Sequence, residues 1–438
     1  MKVINRISFS ISLLLLSFSI SAQEASPPFL YGDALPDAPE LTARGAYKID
    51  VQTLELVNKG QVDVLNSKEG VDPIYDRKIT VEVWYPADIA TAIDPLVTYE
   101  EVMGTANNPK RPLIPFSFQG RAIRDAVPLS AASRYPLVIV SHGYVGSRYL
   151  MTYLTENLAS KGYIVVAIDH TESTFRDASP FQSTLLNRSK DVLFVLEKMA
   201  QLGASDSKHF LANLVDANNT GIVGYSMGGY GVLNVAGAGY SAGAVQFFEK
   251  MTGGSKALAS RQSGNATYLK SMDARVKAVV AFAPWGMKAK VWDAAGLEGL
   301  KTPTFFIAGS LDDISGYETG IKAIYEGAIN ADRYLLTYQN ARHNVAPNPP
   351  PPAALASGLH IDEYYRYAEP SWDERRINNI NQHFVTAFLG IHLQQKDYGK
   401  FLDLPSDSNK ETWMGFIDRS STGLELLHAS AKSDAVSK

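Results

Sequence analysis

The fold is decided by residues 220–230, which read TGIVGYSMGGY. A short apolar run leads into Gly-x-Ser-x-Gly-Gly, and small or helix-compatible residues follow it. This pattern is typical of a strand that turns sharply into a helix around an exposed serine. Gly224 and Gly228 suit such a turn because side chains at both positions would collide there. The stretch therefore predicts Ser226 as a nucleophile, and a glycine-rich turn around a buried structural serine is the alternative.

Apolar runs and helix patterns alternate on both sides of this motif. A continuous apolar run, typical of a strand that is covered on both faces, lies at residues 136–140. Residues 163–168 predict a second buried strand, and further strands are predicted at residues 277–282, 303–308 and 333–338. The helix patterns include one with Ser147 as its possible N-cap and another that ends at Gly203. Strands that alternate with helices predict an α/β fold, a mainly parallel sheet with helices on both faces.

The segment before these runs has a different pattern. Residues 78–85 alternate polar and apolar side chains, as a half-buried strand does, and residues 47–57 are interpreted as its earlier partner. These two segments predict antiparallel N-terminal strands at the start of the sheet. Residues 88–134 have no clear period and are interpreted as a long excursion over the surface.

Composition divides the chain into four parts. Residues 1–22 have a positive start, a short apolar core and a small-residue cleavage point near Ala22, which predict a signal peptide and a secreted or periplasmic protein. Residues 23–44 are rich in proline and alanine and are expected to form a loose N-terminal leader. Residues 45–403 form the predicted α/β domain, and the polar residues 404–438 are expected to be a peripheral C-terminal tail.

Two segments interrupt the strand and helix pattern of the domain. Residues 236–273 are a candidate cap insert, and residues 347–369 form a second interruption that contains four consecutive prolines. The long N-terminal segment, the insert at 236–273 and the long C-terminal part could close over a cleft.

Composition also excludes several kinds of partner and bond. The formal net charge is −4 and no basic run interleaves with aromatic residues, which argues against nucleic acid as a partner. The sequence contains no cysteine, so disulfides and lipid attachment through cysteine are excluded. After the predicted signal peptide no apolar stretch is long enough for a membrane helix, so we expect a soluble mature protein.

A serine nucleophile needs a histidine to take its proton and an acid to hold that histidine in the right tautomer. In sheets of this type the acid and then the histidine follow the serine, just beyond the carboxyl ends of strands. Asp312 and His343 follow apolar runs in that order and are predicted as the acid and the base. Asp313 could exchange roles with Asp312. His142 and His170 also lie near strand ends, but both precede the serine.

Attack on a carbonyl group builds negative charge on its oxygen, which two backbone N–H groups usually receive. One N–H comes from the residue after the nucleophile, here Met227. The other comes from the loop after an earlier strand, where Ser141-His142-Gly143 precede Tyr144. The predicted oxyanion hole therefore consists of the N–H groups of Tyr144 and Met227, and His142 is interpreted as a structural histidine.

Four motifs carry a resemblance to a known family: Ser141-His142-Gly143, Lys161-Gly162-Tyr163, residues 224–229 and residues 309–312. They resemble those of the dienelactone-hydrolase-like group of α/β-hydrolases, which includes relatives of platelet-activating-factor acetylhydrolase and of cutinase-like polyester hydrolases. The resemblance covers most of residues 45–400. It implies an α/β-hydrolase fold, ester hydrolysis through a Ser-His-Asp triad, and no metal or organic cofactor.

The chain departs from parts of this group. Dienelactone hydrolases use a cysteine nucleophile, and this chain has no cysteine. Acetylhydrolases of the platelet-activating-factor type place their acid where this chain reads Phe282-Ala283-Pro284-Trp285. The polyester hydrolases are more similar. They share a tyrosine at the position of Tyr144, a methionine directly after the serine, here Met227, and the Ala-Pro-Trp sequence that ends at Trp285. By that similarity Tyr144 and Trp285 could sandwich an acyl or aromatic group, and core packing is the alternative role of Trp285.

The leading hypothesis is a secreted serine hydrolase that cleaves a small-molecule, lipid or polymeric ester. A peptidase or amidase is the second reading, since the same triad can cut amides. Serine peptidases on this fold often carry a large added domain, and the roughly 100 residues before Tyr135 are too few for a propeller. A binding protein without catalysis is the third reading, although no triad member is missing.

Overall fold

The strands and helices of residues 29–432 are described by a computed structural model, and the predicted signal peptide lies outside these described residues. The strands are β1 (Ile49–Val62), β2 (Ile74–Pro86), β3 (Val97–Met103), β4 (Ile114–Gly120), β5 (Tyr135–Ser141), β6 (Ile164–Asp169), β7 (Val215–Tyr225), β8 (Val276–Phe282), β9 (Thr304–Gly309), β10 (Arg333–Tyr338) and β11 (Leu424–Ala429). The helices are α1 (Thr152–Ser160), α2 (Phe181–Leu202), α3 (Met227–Val235), α4 (Ala242–Met251), α5 (Ala266–Lys270), α6 (Ala294–Leu297), α7 (Ala323–Gly327), α8 (Asp362–Tyr365) and α9 (Glu374–Gln394).

One large sheet forms the centre of the described chain, in the strand order β1-β2-β6-β5-β7-β8-β9-β10-β11. The strands from β6 to β10 in this order run parallel to one another. At one edge β1 and β2 are antiparallel, and β2 is also antiparallel to β6. The predictions of a mainly parallel sheet and of antiparallel N-terminal strands are confirmed.

Helices cover both faces of this sheet. α1 and α9 contact each other on one face, and α2 and α3 contact each other on the other face. The central strands are therefore buried on both sides, with Ile139, Ile222 and Val280 fully inaccessible to solvent. Burial on two faces explains why these strands read as continuous apolar runs. Within residues 29–432 no helix is both long and apolar enough to cross a membrane.

The C-terminal segment completes the sheet, so the prediction of a peripheral tail was wrong for its described part. β11 pairs antiparallel with β10, with Ala429 opposite Arg333 and Leu424 opposite Tyr338. Leu424 and Leu426 point into the core, and the residues between and after them are partly exposed. One short alternating strand at a sheet edge carries too few apolar residues to stand out in a polar sequence.

The predicted loose leader was also wrong for residues 29–44. Leu30 and Thr42 are buried, and the hydroxyl of Thr42 donates a hydrogen bond of 2.8 Å to the carbonyl of Asn379 in α9. The N–H of Leu35 donates to the Asn379 side chain at 2.8 Å. Backbone and side-chain groups of α9 thus hold a segment with little regular structure, and composition contains no signal of such long-range contacts.

Two further expectations need correction between residues 88 and 160. The supposed surface excursion contains the β3–β4 hairpin, in which Tyr99 is fully buried and donates to Glu156 of α1 at 2.8 Å. Ser147 is not the N-cap of α1, because that helix begins at Thr152 after Met151. The apolar spacing extends into a turn before the helix, which periodicity alone does not separate from the helix itself.

Candidate active site

Ser226 occupies a sharp turn between β7 and α3. Its backbone has φ 54° and ψ −112°, a strained conformation for a residue with a side chain. A Cβ on Gly224 would lie 2.3 Å from the carbonyl oxygen of Gly228, and a Cβ on Gly228 would lie 1.9 Å from that of Ser141. The turn therefore requires glycine at both positions, because the backbone of a neighbouring segment occupies the space of a side chain.

His343 connects this serine to Asp312. The Nε2 atom of His343 lies 3.0 Å from Oγ of Ser226, and its Nδ1 atom lies 2.8 Å from Oδ2 of Asp312. The three residues are 8%, 7% and 5% exposed, in the order His343, Ser226 and Asp312. The structure thus brings the three predicted triad residues into one hydrogen-bonded chain, with its serine end next to a cavity.

The structure gives the two candidate aspartates different partners. Oδ1 of Asp312 accepts hydrogen bonds from the backbone N–H groups of Ile314 and Ser315, at 2.9 and 2.8 Å. These bonds orient the carboxylate so that Oδ2 faces His343. Asp313 points away to Arg342, with Nε of the arginine 3.1 Å from Oδ1. Asp312, and not Asp313, is therefore in a position to hold the tautomer of the histidine.

Glu369 holds the loop that carries His343, and sequence reasoning missed it. Its two carboxylate oxygens accept the backbone N–H groups of Arg342 and Asn344, both at 2.6 Å. Burial raises the pKa of Glu369 above its ordinary value, although these hydrogen bonds oppose the shift. No local pattern identifies one glutamate in an irregular segment as the partner of a loop 26 residues earlier.

A second buried glutamate supports this contact. Glu374, the first residue of α9, accepts a hydrogen bond from the N–H of Glu369 through its side chain. Burial raises the pKa of Glu374 to about 8. The side chain is therefore largely protonated at neutral pH, which limits repulsion between the two neighbouring carboxyl groups.

The two predicted oxyanion donors lie near the serine. Met227 begins α3 directly after Ser226. The loop after β5 approaches so closely that a Cβ on Gly143 would lie 3.3 Å from Cβ of Ser226, and Tyr144 follows in this loop. Neither the N–H of Tyr144 nor that of Met227 has an acceptor within residues 29–432. Both groups are thus available to a substrate oxygen.

His142 forms hydrogen bonds that support the loop of Gly143 and Tyr144, as expected for a structural histidine. Its Nδ1 atom lies 2.6 Å from the carbonyl oxygen of Gly143, and its Nε2 atom accepts the N–H of His170 at 3.2 Å. Nη1 of the buried Arg188 donates to the carbonyl of His142 at 2.7 Å. Burial lowers the pKa of His142 well below its usual range, so the ring stays neutral as these contacts require.

A second Ser-His-Asp arrangement lies in the core. His170 connects Oγ of Ser141, at 2.8 Å, to Oδ2 of Asp191, at 3.0 Å. Burial lowers the pKa of His170 to about 3, and Arg77 forms two hydrogen bonds with Asp191. Ser141 is fully buried, so a substrate has no access to it. We assign this arrangement a structural role beneath the loop that carries Tyr144.

A cavity of about 510 Å³ opens over Ser226 and His343. Two segments distant in sequence also line it, one with Arg111 and the other with α8 and the residues that follow it. The candidate cap, residues 236–273, contributes nothing to this lining within the described chain. Residues 362–369 of the second interruption contribute to the lining of this cavity instead.

The insert instead shapes a second, apolar cavity of about 870 Å³, which contains Trp285. Phe247 and Met251 of α4 line it. The ring of Phe181 contacts that of Tyr144 edge-on at 5.3 Å and that of Trp285 at 5.1 Å. The predicted sandwich between Tyr144 and Trp285 is therefore wrong for this structure, because a phenylalanine contributed by α2 already lies between the two rings.

Comparison with known proteins agrees with this fold. Residues 118–248 match a family model described as PETase, PET hydrolase-like. Cutinase est1 of Thermobifida alba is 25% identical over 215 residues, which cover 49% of this chain and 55% of the relative. Cutinase cut1 of Thermobifida fusca is 24% identical over 217 residues, which cover 49% and 51%. The chain thus spans about half the length of the curated relatives it matches.

A solved structure is similar over a larger part of the chain. The ferulic acid esterase from Streptomyces cinnamoneus superposes with a TM-score of 0.54 at 21% identity, over 86% of this chain and 99% of the other. At this identity the likeness concerns the fold. The chain thus has the α/β-hydrolase fold, about half of it is similar in sequence to cutinases, and residues 118–248 match the PET hydrolase-like family model.

Proposed function

We propose that this protein hydrolyses carboxylic esters through an acyl-enzyme formed on Ser226. The observation that carries the proposal is the hydrogen-bonded chain from Ser226 through His343 to Asp312, which ends in a cavity. Its geometry matches the requirement that a base lies within hydrogen-bond distance of the nucleophile and is itself oriented by an acid.

In the first half of the reaction, Nε2 of His343 accepts the proton of Ser226 as Oγ attacks the ester carbonyl carbon. The N–H groups of Tyr144 and Met227 stabilise the negative oxygen that forms. The carbon–oxygen bond to the alcohol then breaks, and the alcohol leaves with the proton from His343. Asp312 holds the Nδ1–H of the imidazole and stabilises its positive charge.

In the second half, a water molecule takes the place of the alcohol. His343 accepts a proton from this water as the oxygen attacks the acyl carbon of the acyl-enzyme. The bond between the acyl carbon and Oγ of Ser226 breaks, and His343 returns the proton to Oγ. The carboxylic acid product leaves, and the free enzyme is restored with no metal or organic cofactor in any step.

Esters are preferred to amides in this proposal. The relatives with similar sequence are named cutinases and the structural neighbour is named a ferulic acid esterase, all of them names of ester hydrolases. The substrate is a small-molecule or polymeric ester that places one ester group in the cavity. Export to the periplasm or the medium, which residues 1–22 predict, belongs to the same proposal.

The test combines turnover with covalent labelling. We expect wild-type protein to hydrolyse p-nitrophenyl acetate and butyrate, and Ser226→Ala to lose this activity while its circular dichroism spectrum is unchanged. Diethyl p-nitrophenyl phosphate should add one diethylphosphoryl group, which peptide mass spectrometry locates at Ser226. Labelling at another serine, or faster cleavage of matched anilides than of esters, would contradict the proposal.

A further inference from the structure

An arginine without an ion-pair partner lies in the wall of the triad cavity. The Nη1 atom of Arg366 donates to the carbonyl oxygen of Val145 at 2.5 Å, and its guanidinium carbon lies 5.1 Å from the centre of the Phe175 ring. Its Nε atom is buried and has no acceptor in the described chain. No carboxylate within residues 29–432 forms an ion pair with it.

The acidic side chains on this side of the cavity already have other partners. Glu363 lies 2.6 Å from Nε of Arg111, and Asp362 lies 3.3 Å from Nη1 of the same arginine. The carboxylate of Glu369 accepts the two backbone N–H groups beside His343. Asp313 pairs with Arg342. Glu363, whose charge also favours the charged form of Arg366, is thus shared with Arg111, and no carboxylate within residues 29–432 pairs with Arg366 directly.

A second unsatisfied guanidinium nitrogen lies in the same wall. Nη2 of Arg111 is buried and has no acceptor within residues 29–432, and Arg111 lines the cavity together with Arg366. Burial lowers the pKa of Arg366 below its usual range, and the positive charge of Arg111 contributes to this shift. Buried charges in proteins are usually paired, because removal from water is costly. Arg366 and Arg111 both line the cavity, and the planar guanidinium group is suited to the planar oxygens of a carboxylate.

The position of Arg366 relates this charge to the proposed reaction. It binds the carbonyl of Val145, the residue after the predicted oxyanion donor Tyr144. Ser226 and Arg366 line the same cavity of about 510 Å³. A molecule whose ester group lies at Ser226 can therefore place a second group near Arg366 within the same cavity.

We propose that Arg366 binds a free carboxylate on the substrate, so that the preferred substrates are esters that carry a second, ionised carboxyl group near the scissile bond. This inference rests on the proposed ester hydrolysis. It names two sources of the carboxylate: the acyl part, as in a half-ester of a dicarboxylic acid, and the alcohol part, as in an acylated hydroxy acid. Either source presents the same ion to the arginine.

Matched pairs of esters test the proposal. The monoethyl esters of succinate, glutarate and adipate are compared with analogues in which a carboxamide replaces the free carboxylate. Acetylated 3-hydroxybutanoate and 4-hydroxybutanoate, with their amides, test the alcohol side. We expect kcat/KM to be about tenfold or more higher for the carboxylate in at least one series, the range of a charge-assisted hydrogen bond.

Variants assign the preference to one side chain. Arg366→Gln should reduce the ratio between charged and neutral esters to about one, and Arg366→Lys should give an intermediate ratio, because lysine keeps the charge without the planar donors. Arg375→Gln is the matched control, since Arg375 pairs with Asp373 on the surface away from the cavity. The control should keep the wild-type ratio.

A binding measurement separates this inference from the proposed function. Ser226→Ala protein is titrated calorimetrically with glutarate, adipate and their monoamides, and Ser226→Ala/Arg366→Gln should bind the dicarboxylates about tenfold more weakly. Equal wild-type rates on charged and neutral esters, or equal binding by the two proteins, would overturn the role of Arg366 while Ser226-dependent turnover stands. Loss of all ester turnover, with intact dicarboxylate binding, would overturn the proposed function instead.

Discussion

Glu369 fixes the loop around the catalytic candidate His343. Its carboxylate accepts the backbone N–H groups of the two flanking residues, Arg342 and Asn344, each at 2.6 Å. Both of its carboxylate oxygens are engaged by these backbone N–H groups, so we regard it as a positioning residue. It belongs to the same irregular segment as Arg366, which lines the cavity. One segment thus positions the loop that carries His343 and also lines the cavity.

Replacement of Glu369 by glutamine tests this role. A glutamine keeps one acceptor oxygen but presents an NH₂ group to one of the two N–H groups, so the loop loses a hydrogen bond and shifts. We expect kcat for p-nitrophenyl butyrate to fall about tenfold to a hundredfold, as expected for a small misplacement of a catalytic group, with little change in KM. If the fraction of protein that diethylphosphoryl labelling modifies falls by the same factor as kcat, the role of Glu369 is purely structural.

The two adjacent aspartates form an internal comparison. Asp312→Asn leaves the geometry nearly unchanged but removes the charge that faces Nδ1 of His343, and we expect kcat to fall by about 10⁴. Asp313→Asn removes an exposed partner of Arg342, so its effect should stay below about tenfold. Steady-state kinetics of both variants on one ester decide between them, and a larger loss in Asp313→Asn would reverse the assignment.

Glu374 predicts a pH dependence of stability. Burial raises its pKa to about 8 in the folded state, above about 4.3 in an unfolded chain. The folded protein therefore retains a proton that the unfolded chain releases, and this stabilisation, fully present below about pH 4, is lost as the pH rises through about 8. Glu374→Gln should raise the free energy of unfolding at pH 9 by on the order of 3 kcal/mol.

Urea unfolding between pH 4.5 and pH 9 measures this difference, which should shrink toward the acidic end. Glu318→Gln is the control, since Glu318 is an exposed residue paired with Lys322 on the surface. It should change the stability little at any pH. A constant difference between wild type and Glu374→Gln across the range would contradict the raised pKa.

Phe181 separates the cavity over Ser226 from the apolar cavity with Trp285. Phe181→Ala should join the two spaces and admit a larger acyl group between Tyr144 and Trp285. We expect kcat/KM for p-nitrophenyl benzoate to rise about fivefold relative to the acetate, the scale of a modest change in an apolar pocket. Phe247→Ala, which removes a ring elsewhere in the apolar cavity, should not raise this ratio.

The parts of the fold that the sequence predicted have local signals. Residues 220–230 contain both the apolar strand and the glycines that a tight turn requires. The turn needs glycine at positions close to the serine, so this need is visible in a short stretch of sequence. The central strands are buried on both faces, so they appear as continuous apolar runs. β11 and residues 29–44 gave no such signal, since their positions depend on contacts with distant residues such as those of α9.

The candidate site divides in the same way. By itself the sequence determined the serine turn and the order of serine, acid and histidine along the chain, because one motif and the ends of successive strands define them. Only the tertiary structure distinguished Asp312 from Asp313 and revealed Glu369, Arg366 and the position of Phe181 between two aromatic rings. These relationships join segments that are distant in sequence, and they depend on side-chain direction and on which loop covers the sheet edge, neither of which leaves a periodic pattern in the chain.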